Sequence, residues 1–410
     1  MIKMLKEKCY INTNKDEDTF VGVQCIDGDI KINFPLGFSL DATSDSTLRK
    51  DILLLLNVLR NFTQQQFNSV PKRNFVTKDS MFPLFAYLYV LKDYVMRGYY
   101  KENTVEYHKS KTGKINWSRT IKTQRPYIQD LNVFYLDFIT KKTVVNENEL
   151  ITLIHQYCVY KSFQMLGWLY TNYLPVKPQL KFNQKLFINI LKRKLATTFN
   201  DADKLLFKNL IVIVNNENDY SLDNLSFSFG TNRFEYVWEK MIDRVYGETN
   251  KTDYFPKTHW HIYDSENLIT ASENAPLEPD TIMINNNNIF VLDAKYYKYG
   301  VTRRSFDLPG TSSISKQITY GEYIFKNKTS NSKTKVYNAF IMPFNSSVQS
   351  ENRIQYIGTA TSEWKNNDFD YEKVLGILVD VKYLMQITNS KNYDAINELS
   401  NLIEEKISKI

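Results

Sequence analysis

Pro279-Asp280-Thr281-Ile282-Met283-Ile284-Asn285-Asn286-Asn287-Asn288-Ile289-Phe290-Val291-Leu292-Asp293-Ala294-Lys295 is the most informative run in the sequence. Two apolar segments flank four asparagines. Asn accepts positive φ, so the run predicts two strands joined by a tight loop. Asp280 enters the first strand and Asp293 lies near the end of the second. Strand residues two apart point to one face, about 6.6 Å on at a rise of roughly 3.3 Å. Asp293 and Lys295 therefore project together, while Ala294 faces the other way with its carbonyl available as a ligand.

Two carboxylates and a carbonyl make an oxygen-only donor set suited to a hard cation such as Mg²⁺, with Mn²⁺ as a substitute. A cation there polarises a phosphodiester. A lysine beside it orients water and stabilises developing negative charge. These are the parts that metal-dependent phosphodiester hydrolysis needs. The bare pattern is not specific, because acid-x-Lys also occurs at Asp29/Lys31, Glu363/Lys365, Asp380/Lys382 and Glu404/Lys406. Asp380 follows a similar apolar strand and is the strongest competitor, but its upstream acids, Asp368 and Asp370, lack a preceding strand signal.

The surroundings favour Asp293. Upstream, residues 232–246 carry an apolar helical stripe of Phe234, Val237, Trp238, Met241 and Val245. Glu235 and Glu239 stand one turn apart on that helix and can face a common site, although either alone also fits a solvated helix face. Downstream, a helix over 314–326 brings Lys316, Gln317 and Tyr320 to one end; Gln317 and Tyr320 share a face. They are candidates to touch a phosphate or the lysine, against a plain reading as an exposed Gln and a packed Tyr. Between these elements, Tyr296–Ser315 is turn-rich and carries Arg303 and Arg304. It is a candidate DNA-backbone contact, or simply a surface loop with two solvated arginines.

Further out, short strands are expected at 259–263, 281–284, 289–295, 336–343, 354–360 and 374–381, with a closing helix at 391–408. This order implies a mixed α/β sheet flanked by helices. The first half reads as a hairpin over 19–34 turning at Asp27-Gly28, and helices at 47–66, 81–94, 146–170 and 183–200, with Glu147 and Glu149 in the first turn of the third. Residues 102–127 read as a basic surface excursion, 131–140 as a strand and 215–224 as a polar connection. A domain boundary near 205 divides an N-terminal region, 1–204, from a catalytic region, 205–410. Length alone, 410 residues, allows two or three domains.

Composition narrows the class. Gly and Pro are scarce (13 and 11), which excludes collagen-like and linker-type chains. The net charge of +7 tolerates a polyanionic partner without requiring one. Three scattered cysteines, Cys9, Cys25 and Cys158, fit a reducing compartment better than a disulfide scaffold or zinc finger. The charged N-terminus has no apolar signal segment, and the most apolar stretch, 150–176, is interrupted by polar residues and Pro175. Neither a leader nor a membrane span is therefore expected. His259 and His261 share a strand face but lack further ligands, so they read as exposed strand residues. Lys192-Arg193-Lys194 reads as a solvated helix face.

An acid-bearing helix, Pro-Asp, Asp-Ala-Lys on a buried strand and a Gln/Tyr helix together resemble the PD-(D/E)xK nuclease superfamily. Within it the sequence is most similar to the LlaJI family of restriction endonuclease subunits, which are McrC-like. The resemblance is carried by Gly113-Lys114-Ile115-Asn116-Trp117-Ser118-Arg119-Thr120-Ile121, Val237-Trp238-Glu239, Pro279-Asp280, Asp293-Ala294-Lys295 and Leu308-Pro309-Gly310 through Gln317-Ile318-Thr319-Tyr320. It implies a PD-(D/E)xK restriction-endonuclease-like core, an Mg²⁺-dependent endonuclease acting on double-stranded DNA, a separate McrB-like GTPase subunit, a cognate methyltransferase in the same system and a cytoplasmic role in phage defence. Carried over, Asp280, Asp293 and the Ala294 carbonyl are metal ligands, Lys295 is the water-activating lysine, and Glu239 or Glu235 is the upstream acid. The N-terminal region is then expected to meet the motor subunit or DNA. No Gly-x-x-x-x-Gly-Lys-[Ser/Thr] is present, so nucleotide hydrolysis is assigned to the partner. Two other readings stay open: a non-catalytic DNA-binding or scaffolding subunit with a vestigial nuclease fold, and a DNA-repair or mobile-element nuclease of the same superfamily.

Overall fold

The structure is a computed structural model. It describes all residues except 1–4, 16–17, 27–28, 67–82, 130–131, 147–148, 172, 217–226, 265–266, 274–275, 330–332 and 350–351. The chain divides into two compact units: one joins Met1–Ser80 to Ser226–Ile410, the other is Met81–Leu225. The division differs from the expected single boundary at 204/205. That position falls inside a helix, Asp201–Asn216, whose Leu206, Phe207, Leu210, Ile213 and Val214 are buried. The N-terminal segment joins the C-terminal half through strand pairing, a long-range contact that no local composition change announces.

In the first unit the chain begins with β1 (Cys9–Ile11), β2 (Val21–Ile26), β3 (Asp29–Phe34) and α1 (Asp45–Gln66). The β2–β3 hairpin forms as expected, and its turn at Asp27-Gly28 lies outside the described residues.

The second unit runs through α2 (Leu84–Arg97), β4 (Glu102–Lys109), β5 (Lys114–Ile115), α3 (Trp117–Thr123), β6 (Tyr127–Gln129), β7 (Asn132–Phe134), β8 (Ile139–Asn146), α4 (Leu150–Leu166), α5 (Gln184–Thr197) and α6 (Asp201–Asn216). The expected surface excursion at 102–127 is instead largely structured. β4 and β5 both pair with β8, and Asn116 caps α3 by accepting from the Arg119 amide at 3.0 Å. The single strand expected at 131–140 is broken between β7 and β8. The apolar stretch at 150–176 is helical only as far as Leu169, with Glu149 at the N-cap; Glu147 lies outside the described residues. Among the described residues, no helix is long and apolar enough to cross a membrane.

The chain re-enters the first unit with β9 (Phe227–Thr231), α7 (Phe234–Tyr246), β10 (His259–Asp264), β11 (Asn267–Glu273), β12 (Thr281–Asn285), β13 (Asn288–Ala294) and α8 (Tyr299–Thr302). It ends with α9 (Thr311–Lys328), β14 (Val336–Phe344), α10 (Ser346–Gln349), β15 (Ile354–Ala360), β16 (Val374–Asp380), α11 (Val381–Ile387) and α12 (Tyr393–Ser408). β9 completes a four-stranded sheet of order β1-β3-β2-β9. The central sheet has five strands in the order β12-β13-β14-β16-β15. β13, β14 and β16 are mutually parallel, and β12 and β15 run antiparallel at the edges. It is the mixed α/β sheet with flanking helices that the sequence implies.

The asparagine loop closes as a two-residue turn. Asn286 and Asn287 have φ of 49° and 65°, between paired Asn285 and Asn288. α9 packs on β13, β14 and β16, and α7 on β12 and β13. Alternation along β13 sends Ile289 and Val291 into a cluster with Tyr320 and Ile324 of α9. Gly321 lets α9 approach closely, since a Cβ there would stand 2.4 Å from Asn338 Nδ2.

Candidate active site

The alternation that buries Ile289 and Val291 carries Asp293 and Lys295 to the same side of β13 at its C-terminal end. The last paired positions of the hairpin there are Thr281 and Leu292, so Asp280 stands opposite Asp293, one step beyond. Side chains directly opposite on antiparallel strands are close neighbours, and like charges so placed repel. The Asp280 carboxylate is held by the Ala294 amide, which donates to Oδ2 at 2.9 Å. Burial, then the charges of Asp293 and Glu239, push Asp280 from 3.8 up to about 7.

Asp293 is buried, and its Oδ2 lies 2.6 Å from Lys295 Nζ. That contact is an ion pair between a buried carboxylate and a half-buried ammonium. Burial works against the Lys295 ammonium, but Asp293 and then Asp280 outweigh it and hold the lysine above its ordinary value. Lys295 is thus a cation across the neutral range. Its backbone stays in register, the amide donating to the Ile341 carbonyl at 2.9 Å. The next residue, Tyr296, is buried against Phe234 and Trp238, and its hydroxyl accepts from the Leu36 amide at 2.7 Å. Trp238 in turn donates to the Ile341 carbonyl at 3.2 Å.

The two glutamates of α7 separate. Burial raises Glu239, Lys240 opposes the rise, and Asp293 adds to it. Glu235 is tied instead to the Arg233 guanidinium at 3.0 Å. Glu239 is therefore the helix acid within charge reach of Asp293 and Lys295. Lys316 also belongs to the neighbourhood. A hydrogen bond with Tyr320 raises it, burial opposes, and Asp293 and Asp280 add to the rise. Tyr320 donates to the Glu278 carbonyl at 3.2 Å.

Gln317 is placed differently from expectation. Only 1% exposed, it donates through Nε2 to the Val291 carbonyl at 2.7 Å. In this conformation it fastens α9 to the sheet and presents no surface to a phosphate. Arg303 has φ of 57° and donates to Gln355 at 3.1 Å, while the exposed Arg304 lies over the Phe306 ring. Neither is drawn into the carboxylate group by any described contact. His259 and His261 are exposed on β10, as their spacing suggested.

The donor chemistry fits a divalent cation: two facing carboxylates, of which Asp280 is raised by burial and by the charge of Asp293, next to the Ala294 carbonyl. Among the described residues no three acidic, His or Cys side chains already close around one ion-sized point. Sequence reasoning missed Lys251, whose ammonium meets Asp243 Oδ1 at 2.7 Å and the Asp280 carbonyl at 2.5 Å. Asp243 lies one turn beyond Glu239 on α7, and an acidic i, i+4, i+8 series from Glu235 was the available signal.

The Type II restriction enzyme BsuMI component YdjA of Bacillus subtilis (strain 168) is 26% identical over 293 residues, 68% of this chain. The match spans 60% of that relative's length. A solved structure of Thermococcus gammatolerans McrB AAA+ hexamers with bound McrC aligns over 94% of this chain and 83% of the matched chain, at 14% identity and a TM-score of 0.36. Residues 20–378 match the LlaJI restriction endonuclease family, and the chain belongs to that family.

Proposed function

We propose that this chain is the DNA-cleaving subunit of a restriction system and hydrolyses phosphodiester bonds at the end of β13. The observation that carries the reading is Asp280 standing opposite Asp293 at the end of the β12–β13 hairpin, with Lys295 Nζ 2.6 Å from Asp293 Oδ2 and Glu239 within charge reach. Asp280, Asp293 and the Ala294 carbonyl would hold Mg²⁺, or Mn²⁺ in its place. When bound, the cation supplies Lewis-acid polarisation of the phosphodiester and a lower pKa for an attacking water.

The chain's own groups then have distinct tasks. Lys295 is protonated, so it is a donor and not a base. It orients the attacking water and stabilises the charge that grows on the phosphoryl oxygens. Glu239, with its raised proton affinity, is suited to take a proton from that water. The Ala294 amide fixes the rotamer of Asp280 through its bond to Oδ2. Lys316 adds a second cation at the same border, available to the negatively charged substrate.

Family membership and the BsuMI relative support placing the chain in a restriction system. A GTP-hydrolysing McrB-like subunit would supply movement and recognition, a methyltransferase would protect the host DNA, and the unit at Met81–Leu225 is our candidate for meeting the motor.

The test is cleavage of a supercoiled plasmid by the full chain with its motor subunit, Mg²⁺ and nucleotide. Asp293→Ala and Lys295→Ala should abolish cutting and leave DNA binding intact. Cutting by both variants at the wild-type rate contradicts the assignment.

A further inference from the structure

Lys251 has no part in the expected chemistry, yet it touches two elements of the site at once. Its ammonium sits 2.7 Å from Asp243 Oδ1 on α7 and 2.5 Å from the backbone carbonyl of Asp280. The Asp280 carbonyl lies just outside the β12–β13 ladder, whose pairing there begins at Thr281 and Leu292. Without the lysine, the described contacts would leave this carbonyl unheld at the residue that must aim a carboxylate at Asp293. The carboxylate end of Asp280 is already fixed by the Ala294 amide. Asp243 is one helical turn beyond Glu239, and its Oδ1 also lies 3.4 Å from the Thr281 hydroxyl. The Glu248 amide donates to the Ile282 carbonyl at 2.8 Å, so the segment carrying Lys251 is pinned to β12 on the other side.

We propose that Lys251 is a positioning residue that sets the Glu239-bearing helix and Asp280 relative to each other, and thereby sets the affinity of the acid pair for a divalent cation. The proposal rests on the nuclease reading above. Lys251 acts through geometry and not through its charge on the acids: the ammonium is engaged by Asp243 and by a carbonyl, and its described contacts do not include the Asp280 carboxylate. Residues that orient ligands in this indirect way commonly change metal affinity or activity by 10- to 100-fold when altered.

The test is calorimetric titration of the purified full chain with Mg²⁺, paired with the Mg²⁺ dependence of plasmid cleavage in the complete complex. Lys251→Met should raise the half-saturating Mg²⁺ concentration roughly 10- to 100-fold. Its cleavage rate at saturating Mg²⁺ should fall by much less. Lys251→Arg, which keeps the charge and can reach both acceptors, should restore most of the lost affinity. Folded Lys251→Met with wild-type Mg²⁺ affinity overturns the proposal. If Lys251→Met does not fold, Asp243→Ala decides: it removes the lysine's acceptor on α7 and should weaken Mg²⁺ binding, and unchanged affinity again overturns the role. Asp293→Asn separates the two levels. Wild-type Mg²⁺ affinity in Asp293→Asn brings down the site itself, and this proposal with it. Loss in Asp293→Asn without loss in Lys251→Met removes only the role of Lys251.

Discussion

Two strands of the central sheet end in the same three-residue pattern and use it in opposite ways. β13 ends in Asp293-Ala294-Lys295, and β16, which like β13 pairs in parallel with β14, ends in Asp380-Val381-Lys382. At β13 the backbone stays extended through Lys295, so acid and amine remain on one face and meet at 2.6 Å. At β16 the chain turns into α11 immediately after the acid. Asp380 caps that helix, accepting from the Tyr383 amide at 2.7 Å and the Ser346 amide at 2.9 Å. Lys382 turns away to the buried Asp51 at 2.7 Å. One acid is saturated by backbone donors; the other faces Asp280 and is ion-paired to Lys295. Identical local chemistry thus becomes a structural cap or a candidate hydrolytic centre according to what stands opposite it.

The lysines offer the largest contrast. Lys295→Met should reduce plasmid cleavage by roughly 10²–10³-fold, the usual cost of removing a charge-stabilising donor. Lys382→Met should leave cleavage per folded molecule unchanged. It should instead destabilise the chain by about 3 kcal/mol in denaturant titrations, because the buried Asp51 loses its counter-charge. Equal losses of cleavage in both variants would erase the distinction.

A smaller contrast lies within α7. Glu239→Gln should slow cleavage by about 10²-fold if it serves as the proton acceptor, while Glu235→Gln should cut at the wild-type rate, since Arg233 already occupies that carboxylate. Parallel rate measurements decide which glutamate belongs to the site.

Smaller again is the stability cost at the cap. Asp380→Ala should lower unfolding free energy by about 1–2 kcal/mol, as lost N-caps do. Thermal melts in cation-free buffer test the other strand end. The folded state holds a proton on Asp280 that the unfolded chain releases, so this group's stabilising contribution is present at low pH and is lost as pH rises from 3.8 through about 7. Asp280→Asn should flatten that slope, and added Mg²⁺ should oppose it. A slope unaltered by the substitution would place the titration elsewhere.

Much of this site was legible because its signals are local. The asparagines announced a left-handed turn, and the alternation around Val291 and Asp293 fixed which side chains share a face. The stripe on α7 placed Glu235 and Glu239 near the sheet, but an i, i+4 pair cannot reveal that Arg233 claims one of them. Gln317 looked exposed because a helix end is usually wet; the close approach allowed by Gly321 puts it on the sheet instead. The N-terminal strands joined the C-terminal half through pairings such as Val23 with Phe229, which depend on contacts some 200 residues apart and leave no local trace. Residues 102–115 hid β4 and β5 because apolar residues are sparse among the charged and polar ones there. α6 was missed although Leu206, Phe207, Leu210 and Val214 have helical spacing, because the adjoining polar run suggested a linker.

The most direct measurement is a side-by-side plasmid cleavage assay, with Mg²⁺, nucleotide and the motor subunit, of wild type, Asp293→Asn and Asp380→Asn, each corrected for its folded fraction. The account predicts no cutting by Asp293→Asn and wild-type cutting by Asp380→Asn. Full activity in Asp293→Asn, or its loss in Asp380→Asn alone, would contradict it.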